Sequence, residues 1–162
     1  MLLNESNYFS PEAEMHYMGS TQYKRFSVCE AGAMAMLRGE CEQTTSTAMM
    51  VGSYVDAHFS ENLDLFKAQH QEILKRDGSL KSEFEQANAI IQRIESDPMM
   101  MYYLSGRHQV ILTGTIAGVP FKIKIDSYKP GDFICDQKIM RSFEPVWNDE
   151  LRIKQNFVEA WM

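Results

Sequence analysis

The clearest periodic signal in the chain is the alternation from Val119 to Asp126. Phe121, Ile123 and Ile125 fall on one face, and Lys122, Lys124 and Asp126 on the other. A repeat of two is what a half-buried strand imposes on its side chains. The stretch from Ser127 to Asp132 is dense in turn residues, and Phe133 to Lys138 reads as the returning strand. With Ala117-Gly118 turning an earlier hairpin, residues 108–138 are expected to form a three-strand meander.

Upstream the apolar positions recur at helical spacing. Phe26, Cys29, Ala33, Met36 and Leu37 predict one helix from a cap at Ser20 or Thr21 to Arg38, stopped by Gly39. A second helix, 45–59, would bury Ala48, Val51, Val55 and Phe59, and a third, 81–96, would bury Phe84, Ala87, Ile91 and Ile94. Asp97-Pro98 supplies an N-cap and a first-turn proline for a short helix closed by Gly106. Its methionine run is read as core filler rather than as a binding surface. Residues 1–19 are expected to be irregular, 67–80 to be the mobile segment, and 149–162 to form a last helix. Helices ahead of a meander imply an α+β fold, with helices layered against one sheet.

Length and composition add bounds. A chain of 162 residues is read as one domain with a core of its own. The net charge of −6 argues against a broadly basic nucleic-acid coat. It leaves room for a local basic patch, which is all that phosphate contacts need. Lys122, Lys124, Lys129, Lys138, Arg141 and Lys154 concentrate towards the C-terminal half, where such groups also commonly form a solvated face. Cys29, Cys41 and Cys135 lack metal-ligand spacing and read as reduced thiols, with Cys135 in the core. No secretory signal is apparent, and no stretch approaches the roughly 20 apolar residues that span a bilayer. A cytoplasmic location without membrane partners is expected.

The candidate chemistry lies on the hairpin. Asp136 and Lys138 are two apart, so on a strand they share a face, and hairpin pairing brings Asp126 beside them. Carboxylate oxygens are the ligands Mg²⁺ prefers. A bound ion polarises a phosphate and lowers the pKa of water, while a lysine positions the nucleophile or offsets developing charge. The pattern therefore suits metal-assisted phosphodiester hydrolysis, although acids and lysines also occupy ordinary solvent faces of hairpins. Glu30, between Phe26 and Ala33, reads as partly buried and in need of a partner. It would hold Lys138 or an ion-bound water, or form a plain ion pair with a neighbouring helix.

A collinear set of segments goes further. Asn7–Glu12, Tyr17-Met18, Gln22–Phe26, Cys29-Glu30-Ala31, Gly114–Asp126 and Phe143–Trp147 resemble the RecE-like (exonuclease VIII-like) phage and prophage exonucleases. These belong to the PD-(D/E)xK nuclease superfamily, with Asp126 as its first acid and Asp136-Gln137-Lys138 as its second motif. The resemblance implies a restriction-endonuclease-like core, a central β-meander or mixed sheet flanked by helices. It implies a metal-dependent DNA exonuclease of phage-type recombination or repair, using one or two Mg²⁺ or Mn²⁺ ions. Asp56, Asp126, Asp136 and the Gln137 carbonyl would be ligands, and Lys138 would orient the attacking water.

Gly52 to Asp56 resembles the superfamily's Gly-x-x-x-His motif with aspartate in place of histidine, the glycine allowing helix and sheet to approach closely. His58 competes for that role, but it lies about 200° around the helix from Asp56, so both cannot face one ion. Lys122, Lys124 and Arg141 are candidate DNA contacts. Expected partners are double-stranded DNA ends, further copies of the chain and a single-strand annealing protein. In RecE-like relatives a Gln-x-x-x-Tyr helix follows, whereas here Gln155 is followed by Glu159. The expectation is a single nuclease domain over 1–162, either cut before that helix or a divergent short form. The alternative function is a non-catalytic DNA-end-binding or assembly module that keeps the fold.

Overall fold

The alternating segment forms a strand. In the computed structural model, which describes residues 1–41 and 45–140, β1 (Arg107–Ile116), β2 (Val119–Lys129) and β3 (Phe133–Cys135) make an antiparallel sheet in the order β1-β2-β3. Ala117 and Gly118, with φ of 50° and 81°, turn the first hairpin. Two successive positive φ values match the right-handed twist of the strands they join. Ser127 pairs with Cys135, Tyr128 with Ile134 and Lys129 with Phe133. This α+β arrangement is the fold class expected from the sequence.

The helices are α1 (Pro11–His16), α2 (Ser20–Val28), α3 (Glu30–Leu37), α4 (Thr47–Phe59), α5 (Leu63–Gln69), α6 (Ser82–Glu95) and α7 (Pro98–Tyr103). The single helix expected over 20–38 is thus two. Cys29 is extended (φ −156°, ψ 103°), and its thiol accepts the Gly32 N–H at the start of α3. The helix expected over 149–162 lies outside the described residues.

Two compact units divide the chain. Among the described residues one comprises 1–41 and Val110–Ile125, the other Thr45–Gln109 and 126–140. In the first unit a parallel bridge joins Met18 to Phe121, with N–H···O bonds from Met18 to Pro120 and from Lys122 to Met18. Residues 1–19 are therefore tied down, which the sequence did not suggest.

The second unit holds the larger core. Tyr54 and Val55 of α4, Ile73, four residues of α6 and Leu104 form one buried cluster, with Cys135 packed against it. Phe84, Ala87, Ile91 and Ile94 are the α6 stripe the spacing predicts, and burying each side chain contributes roughly 1.5–3 kcal/mol. The Tyr54 hydroxyl, deep in this cluster, donates to Asn88 Oδ1 at 2.9 Å. A buried hydroxyl needs such a partner.

Two expectations fail here for packing reasons. Residues 67–80 were expected to be mobile, but they carry the end of α5, a 3₁₀ turn (Gln71–Ile73) and a Leu74–Leu80 bridge around the Asp77-Gly78 turn. Ile73 is fully buried and anchors them. The methionine run is not core: Met99, Met100 and Met101 are 66%, 41% and 37% exposed. Asp97 does cap α7, accepting the N–H groups of Met99 and Met100. Gly106 is required where the chain leaves α7, because a Cβ there would lie 2.6 Å from Ser127 Oγ and 2.7 Å from Tyr128 N. Among the described residues no helix is long and apolar enough to cross a membrane.

Candidate active site

Four of the sequence-predicted residues, Asp56, Asp126, Asp136 and Lys138, lie in the second unit, as does Gln137. Their positions follow from the elements that carry them. On α4, burial of Tyr54, Val55 and Ala57 fixes the helix rotation, leaving Asp56 half-buried. Its Oδ1 accepts the Gln109 side-chain N–H at 2.7 Å. His58 faces elsewhere, its Nε2 lying 2.8 Å from Glu95 Oε1 on α6. The two side chains therefore have different neighbours, as a separation of about 200° requires.

Asp126 sits where β2 meets the end of β3. Its Oδ2 accepts the Gln137 backbone N–H at 2.7 Å, and its own carbonyl lies 3.2 Å from His108 Nδ1. Burial pushes the Asp126 carboxyl up to about 6. The Gln137 N–H opposes that rise, Asp56 and Asp136 add to it, and Lys138 opposes it. Burial, with the nearby charges of Asp126 and Asp136, also raises the Cys135 thiol. Such a value marks a desolvated carboxyl among like charges, a setting typical of functional sites.

Asp136 and Lys138 are exposed at the edge of this group and paired with each other, Oδ2 to Nζ at 2.7 Å. Among the described residues, no three His, Cys, Asp or Glu side chains are gathered closely enough to hold an ion. The donor chemistry nonetheless fits a hard cation. Asp56, Asp126 and Asp136 offer only oxygens, and a divalent ion would relieve the field that raises Asp126.

The remaining expectations fall out differently. Lys122 is corrected: it is 2% exposed, ion-paired to Glu14 at 2.7 Å, hydrogen-bonded to the Tyr8 carbonyl, and lies 4.5 Å from the Tyr8 ring centroid. An ammonium sealed in this way is not presented to DNA. Together with Glu14, burial drives the Tyr8 hydroxyl up to about 12, desolvation being the larger cause. Lys124 is half-buried, 5.2 Å from the Phe9 ring centroid. Glu30 is corrected as well, being exposed at the start of α3 rather than partly buried. Gly52 does not support a close approach, since a Cβ there would meet open space among the described residues. Arg141 and Gln155 lie outside the described residues. Gln109 was not singled out by the sequence, and a glutamine inside a strand carries no signal that would have found it.

Comparison with known proteins agrees with this geometry. Residues 19–162 match the PDDEXK-like domain of unknown function (DUF3799). No curated protein matches the chain. A crystal structure described as a "putative exonuclease" from Eubacterium rectale is 47% identical, with a TM-score of 0.78 over 81% of this chain and 52% of that one. The chain thus spans about half the length of that solved relative. An Asp…Asp-x-Lys hairpin on an α+β core, a match over residues 19–162 and that likeness agree: the chain belongs to the PDDEXK-like DUF3799 family, within the PD-(D/E)xK nuclease superfamily.

Proposed function

We propose that the chain is the catalytic core of a metal-dependent DNA exonuclease of the RecE-like type, acting on double-stranded ends in phage-type recombination or repair. The observation that carries this reading is the desolvated Asp126 carboxyl with Asp56 and Asp136 around it, on a hairpin whose second strand ends at Cys135, just before the Asp136–Lys138 pair. Membership of a nuclease superfamily and the likeness to the structure from Eubacterium rectale described as a "putative exonuclease" support it.

In this reading Asp56, Asp126, Asp136 and the Gln137 carbonyl hold one or two Mg²⁺ or Mn²⁺ ions. Bound there, the metal would supply Lewis acidity at the phosphate and lower the pKa of its water. The chain's residues do the rest. The Gln137 N–H fixes Asp126, so the ligand is oriented before substrate arrives. Lys138, paired with Asp136 at 2.7 Å, would orient the attacking water and offset charge on the phosphate oxygens with its ammonium once Asp136 served as a ligand. In this reading residues 1–162 form a single nuclease domain. Assembly with further copies and with a single-strand annealing protein, in the cytoplasm, belongs to the same proposal.

A second reading, a DNA-end-binding or assembly module without turnover, is favoured by the Asp136–Lys138 pair, which occupies both motif side chains. Digestion of a linear duplex by the full-length protein, with Mg²⁺ and then with excess chelator, separates the two. Metal-dependent release of nucleotides supports the exonuclease. End binding without release supports the module.

A further inference from the structure

Gln109 combines three features that no other described residue near the acids shares. Its backbone is left-handed, with φ of 53°, although it is neither glycine nor asparagine. Its side-chain N–H donates to Asp56 Oδ1 at 2.7 Å. Its amide oxygen, Oε1, is buried and accepts no hydrogen bond from the described residues. The amide orientation is fixed by chemistry, because an ionised carboxylate only accepts and a flipped amide would set oxygen against oxygen.

A left-handed residue with a long side chain is held under strain, and such positions cluster at working sites. Here the twist aims the amide at Asp56. A buried acceptor without a donor among the described residues is itself unfavourable and calls for a partner. Mg²⁺ and Mn²⁺ sites built on few carboxylates keep several waters, whose protons need acceptors.

We infer that Gln109 is a positioning residue of the metal centre, its N–H holding the Asp56 carboxylate in place and its Oε1 accepting from an ion-bound water. The inference rests on the proposed metal site and names a residue outside the acid-and-lysine motif. It predicts an unusual separation of stability from affinity. Gln109→Gly frees the strained backbone and removes the amide. The metal-free protein should melt at the same temperature or higher, while Mn²⁺ affinity falls by at least about tenfold.

The test is calorimetric titration of Mn²⁺ into the full-length protein and its variants, with thermal melts in chelator. Gln109→Asn tolerates the backbone but is one methylene too short for Asp56. It should bind Mn²⁺ as weakly as Gln109→Gly, and it carries the test if the glycine variant does not fold. Folded variants that bind Mn²⁺ within about twofold of wild type overturn the inference. Asp126→Ala marks the difference from the broader reading. If wild type binds no Mn²⁺, or binds it equally after Asp126→Ala, the metal site itself is wrong. If binding depends on Asp126 and ignores Gln109, only this inference fails.

Discussion

The Asp126 carboxylate takes the Gln137 backbone N–H at the rung where the β2–β3 ladder would otherwise run on. Ser127 faces Cys135, and a ladder carried one step further would set Asp126 opposite Asp136, but β3 ends at Cys135. A backbone N–H that loses its ladder carbonyl must find another acceptor. Here it finds a side chain, which ends the strand and turns an acid towards the segment carrying Asp136 and Lys138.

That arrangement has a pH signature. The Asp126 carboxyl rises from an ordinary 3.8 to about 6, so between these values the folded protein binds more protons than the unfolded chain. Stability of the metal-free protein should therefore fall as pH rises from about 4 to about 6, and stay lower above that. The upper bound is roughly 3 kcal/mol. Asp126→Asn removes the ionisation and should flatten this part of the profile. Denaturant titrations in chelator from pH 4 to 7.5 measure the difference between the two proteins. A difference that grows more favourable to wild type with rising pH would mean that Asp126 is held ionised instead.

Asp56 and His58 separate by register. Asp56→Ala should weaken Mn²⁺ binding and nuclease activity by at least about tenfold, in the range for loss of a metal ligand or its support. His58→Ala breaks a partly exposed contact with Glu95 and an edge contact with the Phe59 ring, and should cost about 1 kcal/mol of stability with metal affinity kept. Asp56→His should retain some Mn²⁺-supported activity, since imidazole suits that ion better than Mg²⁺. A damaging His58→Ala beside a silent Asp56→Ala would require the site to be rebuilt around the histidine.

Lys122 should behave as a structural residue. Its ammonium is sealed against Glu14 and the Tyr8 carbonyl. Lys122→Ala leaves the carboxylate and carbonyl without their donor, so the loss should be about 3 kcal/mol. Chemical denaturation measures it. Weaker DNA binding with unchanged stability would return Lys122 to the surface role its strand position first suggested.

The contrast between Lys122 and its neighbours shows what the sequence carried. Alternation places Lys122 opposite Phe121 and Ile123, and it says nothing about what covers the lysine face. The chain's first residues do, through Tyr8 and Glu14. The α6 stripe was legible because its four apolar positions all point into one core. The break at Cys29 was not, because the apolar positions run on through it and the reversal is a backbone event capped by a thiol. The closeness of Asp126 to the Asp136–Lys138 segment was legible from the hairpin, but the strand expected over 133–138 ends at Cys135, because the Gln137 N–H goes to the Asp126 carboxylate instead of a ladder carbonyl. Gln109 was invisible, because a positive φ in a residue other than glycine or asparagine leaves no mark on composition.

The central claim is that these acids and this lysine hydrolyse DNA with a metal ion. The most direct measurement is nucleotide release from a linear duplex by the full-length protein in Mg²⁺, compared with folded Asp136→Ala and Lys138→Ala variants. The account predicts release that chelator abolishes and that both variants reduce by orders of magnitude. Mn²⁺ affinity should be lost in Asp136→Ala and kept in Lys138→Ala, because the lysine is not a ligand. Release at the wild-type rate from folded Asp136→Ala, or none from wild type in Mg²⁺ or Mn²⁺, would contradict it.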